Sequence, residues 1–266
     1  MARARVAVAV ALAALALPAA SVAEIVATPA AHGVFTLDSS GVLGILESIS
    51  VRADAATPAT WEVAMQRGEL FAQPSLVVNG RRYRPGNGST PGTFRISRGT
   101  HGVRFDWLQP PGSGSVRLGY RLALFGTAYT DVVDLRVPVW ESWPVSVGRL
   151  TAALNLPRTP RKRVIVWVEP SGVDAAFSTA GNDVRMAIHN SDANQGVTMH
   201  TVLPRAVFAS TEGLNVEHKP GLATVLAART RRNRTTWPLL VGGALLIVVT
   251  AAVVLRTARW RRRPPR

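Results

Sequence analysis

The sequence predicts an all-β, sandwich-like extracytoplasmic domain followed by a single C-terminal transmembrane helix. Three observations predict it. Between Glu24 and Leu226, apolar and polar residues alternate in short runs broken by Gly, Pro, Asn and Ser, and helical periodicity is scarce. Residues 237–255 hold nineteen positions without a charge, enough for a helix of about 28 Å that matches a hydrocarbon core. Cysteine is absent, so the domain must stand on packing without disulfides, and thiolate metal or nucleophile chemistry is excluded.

Taken in order, residues 1–23 read as a secretory leader. Arg3 and Arg5 precede an apolar run from Val6 to Leu17, a break at Pro18 and the small-residue exit Ser21-Val22-Ala23, which places the mature N-terminus at Glu24. The run is too short to span a bilayer comfortably, which argues against an uncleaved anchor.

Residues 24–220 then form the predicted β domain. Val34 to Leu37, a turn at Asp38 to Gly41, and the face Leu43, Ile45, Ile49 and Val51 read as strand, turn, strand. Glu47 falls on that apolar face. It must meet a basic or amide donor, as in a structural ion pair, or lie at the sheet margin, because a buried unpaired carboxylate is costly. Asn79-Gly80 between Leu76-Val77-Val78 and Arg81-Arg82-Tyr83 is a two-residue hairpin signal. Phe94 to Ser97 and Val103 to Trp107 make another alternating pair, and Pro110 to Ser115 reads as a flexible linker. Further strands are expected at 116–125, 132–139, 150–156, 164–168, 184–188 and 197–203, roughly ten or eleven in all, as in a two-sheet sandwich. The basic run at 157–163 is a loop and a possible sub-boundary. Residues 221–236 form a juxtamembrane stalk, either a short helix or extended.

Trp237 and Trp260 bracket the apolar span as interfacial anchors, and Arg256, Arg259 and Arg261 lead a basic tail at 256–266. A cleaved leader and the arginine-rich tail both place the C-terminus in the cytoplasm. This also accounts for the formal charge of +15. Without the two leader arginines and the six of the tail, 23 basic residues face 16 acidic ones. The four arginines just before the span account for much of that excess. A nearly balanced ectodomain carries no nucleic-acid footprint, and the remaining positive charge flanks a bilayer.

Chemistry is harder to find. His32, His101, His189, His200 and His218 are scattered without metal-ligand spacing, and no nucleophile elbow or phosphate loop is present. No catalytic residue and no cofactor are expected. Asp131 and Asp134, with Glu141 nearby, are the weak candidates for a cation, though on one unbroken strand the two aspartates would face opposite sides. Trp140 and Trp143, together with Glu47, are the candidates for a partner contact.

Tyr129-Thr130-Asp131-Val132-Val133-Asp134-Leu135, then Trp140, Trp143-Pro144-Val145 and a strand ending Leu156-Pro157, resembles the signature stretch of the domain of unknown function 2207 family. Val202-Leu203-Pro204 before the span matches the same order of features. The resemblance covers about residues 32–255. It implies a membrane protein with a β-rich N-terminal extracytoplasmic domain and implies no activity. This chain departs from the family's pattern at Arg136-Val137 and at Trp61 to Met65, and it has one span where many members continue into more.

The expected function is therefore a membrane-anchored binding or assembly module at the cell envelope, whose partner is another envelope protein or a surface polymer. The alternatives are a metal-assisted envelope hydrolase built on Asp131, Asp134 and Glu141, or a subunit of a membrane complex.

Overall fold

A computed structural model describes residues 25–99, 102–140, 147–161, 163–191 and 196–231. The leader, Glu141, Trp143, and the span and tail with Trp237, Arg256, Arg259, Trp260 and Arg261 lie outside the described residues. Among the described residues, no helix is long and apolar enough to cross a membrane.

The described chain is mostly β. Strands β1 (Ile25–Leu37) and β2 (Leu43–Ala53) form the expected opening hairpin. The Asp38 carboxylate fastens the turn by accepting the backbone N–H groups of Ser40 and Val42, each at 3.0 Å. After β3 (Thr57–Ala64) come β4 (Leu70–Val78) and β5 (Arg81–Arg82), joined by Asn79 and Gly80 at φ 51° and 77°, the left-handed pair that a two-residue hairpin turn requires. Next are β6 (Arg84–Pro85), β7 (Thr93–Arg98), β8 (Gly102–Gln109) and β9 (Gly112–Ala123). The second half supplies β10 (Gly126–Ala128), β11 (Val132–Trp140), β12 (Val147–Asn155), β13 (Ile165–Glu169), β14 (Ala175–Ala180), β15 (Asp183–Ser191), β16 (Val197–Pro204) and β17 (Asn215–Val216). A helix, α1 (222–231), closes the described chain, and of the two forms left open for the stalk its described part is helical.

Three sheets form, where the strand count had pointed to two. An eight-stranded sheet runs β14-β15-β12-β1-β2-β9-β4-β5, a five-stranded sheet β13-β16-β11-β10-β17, and a four-stranded sheet β3-β8-β7-β6. The inward faces of all three merge in one hydrophobic core. Phe71 of β4 meets Phe105 of β8 edge-on at 5.9 Å, and Trp61 of β3 meets Trp140 of β11 edge-on at 6.1 Å. The loop at 157–161 carries the chain from the eight-stranded to the five-stranded sheet, and core residues on both sides of it belong to the same cluster.

The expected linker at Gly112 to Ser115 is instead the start of β9, paired with Ser50 to Ala53 of β2. Glycine there gives close approach rather than flexibility. A Cβ on Gly114 would overlap the Asn79 side chain, whose Oδ1 accepts the Ser115 N–H at 2.9 Å.

Candidate functional site

Strand β16, inside the five-stranded sheet, is buried on both faces. Val197, Met199 and Leu203 of β16 point into the core, while His200 and Val202 of the same strand point outward and are equally inaccessible. The cover on the outer side is α1. Val225 of α1 packs with Val132, Trp167 and Val202, and Tyr129 and Ile165 border them.

Asp131 sets where α1 begins. Its Oδ1 accepts the Gly221 N–H at 2.7 Å and its Oδ2 the Leu222 N–H at 3.3 Å, so a carboxylate from the loop before β11 caps a helix ninety residues away in sequence. The Gly221 bond, the largest influence, holds the Asp131 carboxyl below its ordinary value; burial opposes it, and the Leu222 bond adds a smaller push in the same direction as Gly221. Gly221 lies against the Tyr129 ring so closely that any Cβ would collide with it. Burial, then the Asp134 and Glu217 charges, push the Tyr129 phenol up.

Under α1 lies a cluster of ionisable and aromatic side chains. Glu169 at the end of β13 and His200 on β16 form a pair, Oε2 to Nε2, at 3.1 Å, with the His200 side chain 3% exposed. The Trp167 ring stacks on His200 at 4.7 Å, and the Arg229 guanidinium of α1 lies 4.9 Å from the Trp167 ring centre. Arg136 of β11 stands opposite His200 in the register, and Asp134 opposite Val202. These groups, with Tyr129, Thr224 and Ala228, line a cavity of about 80 Å³. That volume holds a few water molecules at most and is well short of the roughly 300 Å³ of a small-molecule site. The Arg229–Trp167 cation–π contact fastens α1 over a Glu169–His200 pair that itself ties β13 to β16, and the cavity offers no room to bind a substrate beside a nucleophile.

The sequence-derived candidates are dispersed by the fold. Asp131 is engaged by α1, and Asp134 sits on the outward face of β11 under it. Among the described residues no three His, Asp or Glu side chains converge as a metal-ligand set. Trp140 was expected to offer an exposed contact but is buried at 3% exposure against Trp61, because the bulge between Pro138 and Trp140 turns it into the core. Glu47 is central in the eight-stranded sheet, not at its margin, at 2% exposure, and the Tyr120 hydroxyl donates to it at 3.4 Å. Its burial removes it as a surface contact. Glu169, His200, Trp167 and Arg229 were missed. The outward face of β16, Thr198, His200 and Val202, reads as an ordinary water-facing mix, so the sequence held no local signal of the cover.

No curated protein matches the chain. Similar solved structures include a protease candidate from Parabacteroides distasonis, at 9% identity and TM-score 0.40, covering 68% of this chain and 40% of the other. A candidate nutrient-binding protein from Legionella pneumophila is 10% identical with TM-score 0.41, covering 69% of this chain and 68% of the other. The M1 zinc metallopeptidase from Deinococcus radiodurans is 9% identical with TM-score 0.36, covering 68% and 43%. This chain thus spans well under half the length of the two peptidase structures, and likeness at these TM-scores carries no inference about activity. The sequence match is of a different order: residues 30–203 fit the family described as "Predicted membrane protein (DUF2207) N-terminal domain", and the chain belongs to that family.

Proposed function

We propose that this protein is a membrane-anchored binding or assembly module whose β domain is extracytoplasmic and is held in a fixed attitude to the bilayer by α1. The supporting observation is the clamp itself. The described part of helix α1 reaches residue 231, close in sequence to the apolar segment at 237–255, and it is fastened to the β domain by the Asp131 cap, the Gly221–Tyr129 contact and the Arg229–Trp167 stack. A loose tether would need none of these. A domain that must present one face to a partner beside the membrane gains from all of them, since preorganisation lowers the entropic cost of association. The hydrolase reading draws no support from this geometry, because Asp131 is occupied by the helix and the adjoining cavity is too small for a substrate.

The test is made on the full chain in its own membrane. The protein should resist alkaline carbonate extraction, protease added to intact cells should remove the β domain while sparing the basic tail, and a photo-crosslinker at Leu222, which is 36% exposed, should capture one recurrent envelope protein. Release by carbonate or protection of the β domain in intact cells would overturn the anchored topology. Capture of lipid alone would overturn the assembly role.

A further inference from the structure

Two strand edges open onto one groove. Strand β14 ends the eight-stranded sheet and pairs with β15 alone, while β13 ends the five-stranded sheet and pairs with β16 alone. Between them lies a cavity of about 440 Å³, lined by Leu156, Val164, Val166, Phe177 and Val184, with Arg163 at its rim. Leu156 and Val184 are buried, whereas Phe177 is 36% exposed.

The β14 edge lacks the usual guards. Its sequence, AAFSTA, has no charge, proline or glycine, and five of its six residues are exposed. Edges left this way accept another strand, because every second N–H and C=O points outward unpaired. Ala175 and Phe177 face the core side, opposite the buried Ile188 and Met186 of β15. A strand added at this edge would place alternate side chains over Phe177, Val164 and Val166 and continue the core outward.

Charge narrows the occupant. Arg158, Arg161 and Arg163 are exposed in the loop beside the groove, and none has an ion-pair partner among the described residues. The groove's own carboxylate, Asp183, is paired with Arg185 at 3.3 Å. A second copy of this chain would bring another AAFSTA edge flanked by Asp174 and by the Arg185-paired Asp183, which leaves one unpaired carboxylate among the described residues there against three cations, a poorer match than an acidic partner segment.

We propose that the groove between β13 and β14 takes an extended segment of a partner protein by strand addition to β14, with alternating apolar side chains against Val164, Val166 and Phe177 and an acidic residue against Arg158, Arg161 and Arg163. The proposal rests on the binding-module reading and specifies where and what the module binds.

The experiment selects a randomised displayed peptide library on the detergent-solubilised full chain, then measures the enriched peptides by fluorescence anisotropy and amide hydrogen exchange. The expected sequences alternate apolar and polar residues next to Asp or Glu. Binding should slow exchange across 175–180, weaken about tenfold with Arg163→Glu, and vanish when alternate peptide nitrogens are methylated. Thermal unfolding of the Arg163→Glu protein checks that the fold is retained. No enrichment, binding insensitive to methylation, or protection elsewhere than β14 would overturn the proposal, as would concentration-dependent dimerisation that occludes the edge. Each leaves the carbonate, protease and Leu222 crosslinking results standing, so failure here is distinct from failure of the anchored-module reading.

Discussion

The outer faces of the five-stranded and eight-stranded sheets share the same two-residue alternation, yet one is covered and the other bare. On the bare face of the eight-stranded sheet stand His32, Leu46, Arg117, Arg149 and Arg185, all exposed, with polar contacts such as His32 Nδ1 to Thr151 Oγ1 at 2.8 Å. On the covered face, Val132, Trp167, His200 and Val202 are buried under α1. A sheet tolerates water on one side, and charge on its outer face is then inexpensive. Where α1 docks, the outer face supplies an apolar patch of Val132, Trp167 and Val202, and beside it Glu169 and His200 pair with each other.

Trp167→Ala breaks this comparison most severely. It removes the ring against which both His200 and Arg229 pack, so unfolding of the full chain in detergent should show a loss of about 3–5 kcal/mol. Amide exchange across 222–231 should rise with it. A loss under about 1 kcal/mol would mean that α1 is not held through this ring.

Gly221→Val comes next. The added side chain collides with the Tyr129 ring, and overpacking of this kind costs about 1–3 kcal/mol. The effect should be local, with faster trypsin cleavage after Arg229 and unchanged exchange in β1 and β2. Equal loosening of the bare sheet would show that the two regions unfold as one unit.

How much of this could be read from sequence follows the range of the interaction. The β class, the Asn79-Gly80 hairpin and the Asp38 turn were legible because each is set by neighbours within a few residues. The third sheet was not, since β3 joins β8 across some forty residues and nothing local specifies that pairing. Linker and strand were confused at Gly112 to Ser115 because glycine serves both loose chain and close approach, and only the Asn79 contact distinguishes them. For the site, Asp131 and Asp134 stood out as carboxylates, but the capping role of Asp131 depends on a helix ninety residues later. Glu169 and His200 lie thirty-one residues apart and gave no local sign of meeting.

The Asp131 cap gives a smaller and more specific effect. Asp131→Ala should cost about 1 kcal/mol, while Asp131→Asn keeps a capping oxygen and should cost less near neutral pH. The folded carboxyl titrates below its ordinary value of 3.8, chiefly through the Gly221 N–H. Its contribution is therefore complete above 3.8 and lost as pH falls through the lower folded value. Exchange across 222–231 in the native protein should rise in that acid window, and Asp131→Asn should flatten the rise. An undiminished rise in the Asn variant would assign it to another group.

Leu46→Thr probes the bare face and should do least. Leu46 is 45% exposed on β2, where a β-branched polar residue suits a half-open pleat, so stability should stay within about 0.5 kcal/mol. A larger loss in the isolated, detergent-solubilised chain would mean that Leu46 packs against something within the molecule. Normal stability in detergent combined with instability in the native membrane would carry the opposite lesson: the face that is bare in this chain is covered by a partner in the envelope, and the contrast with the α1-covered face would then be between an internal cover and an external one.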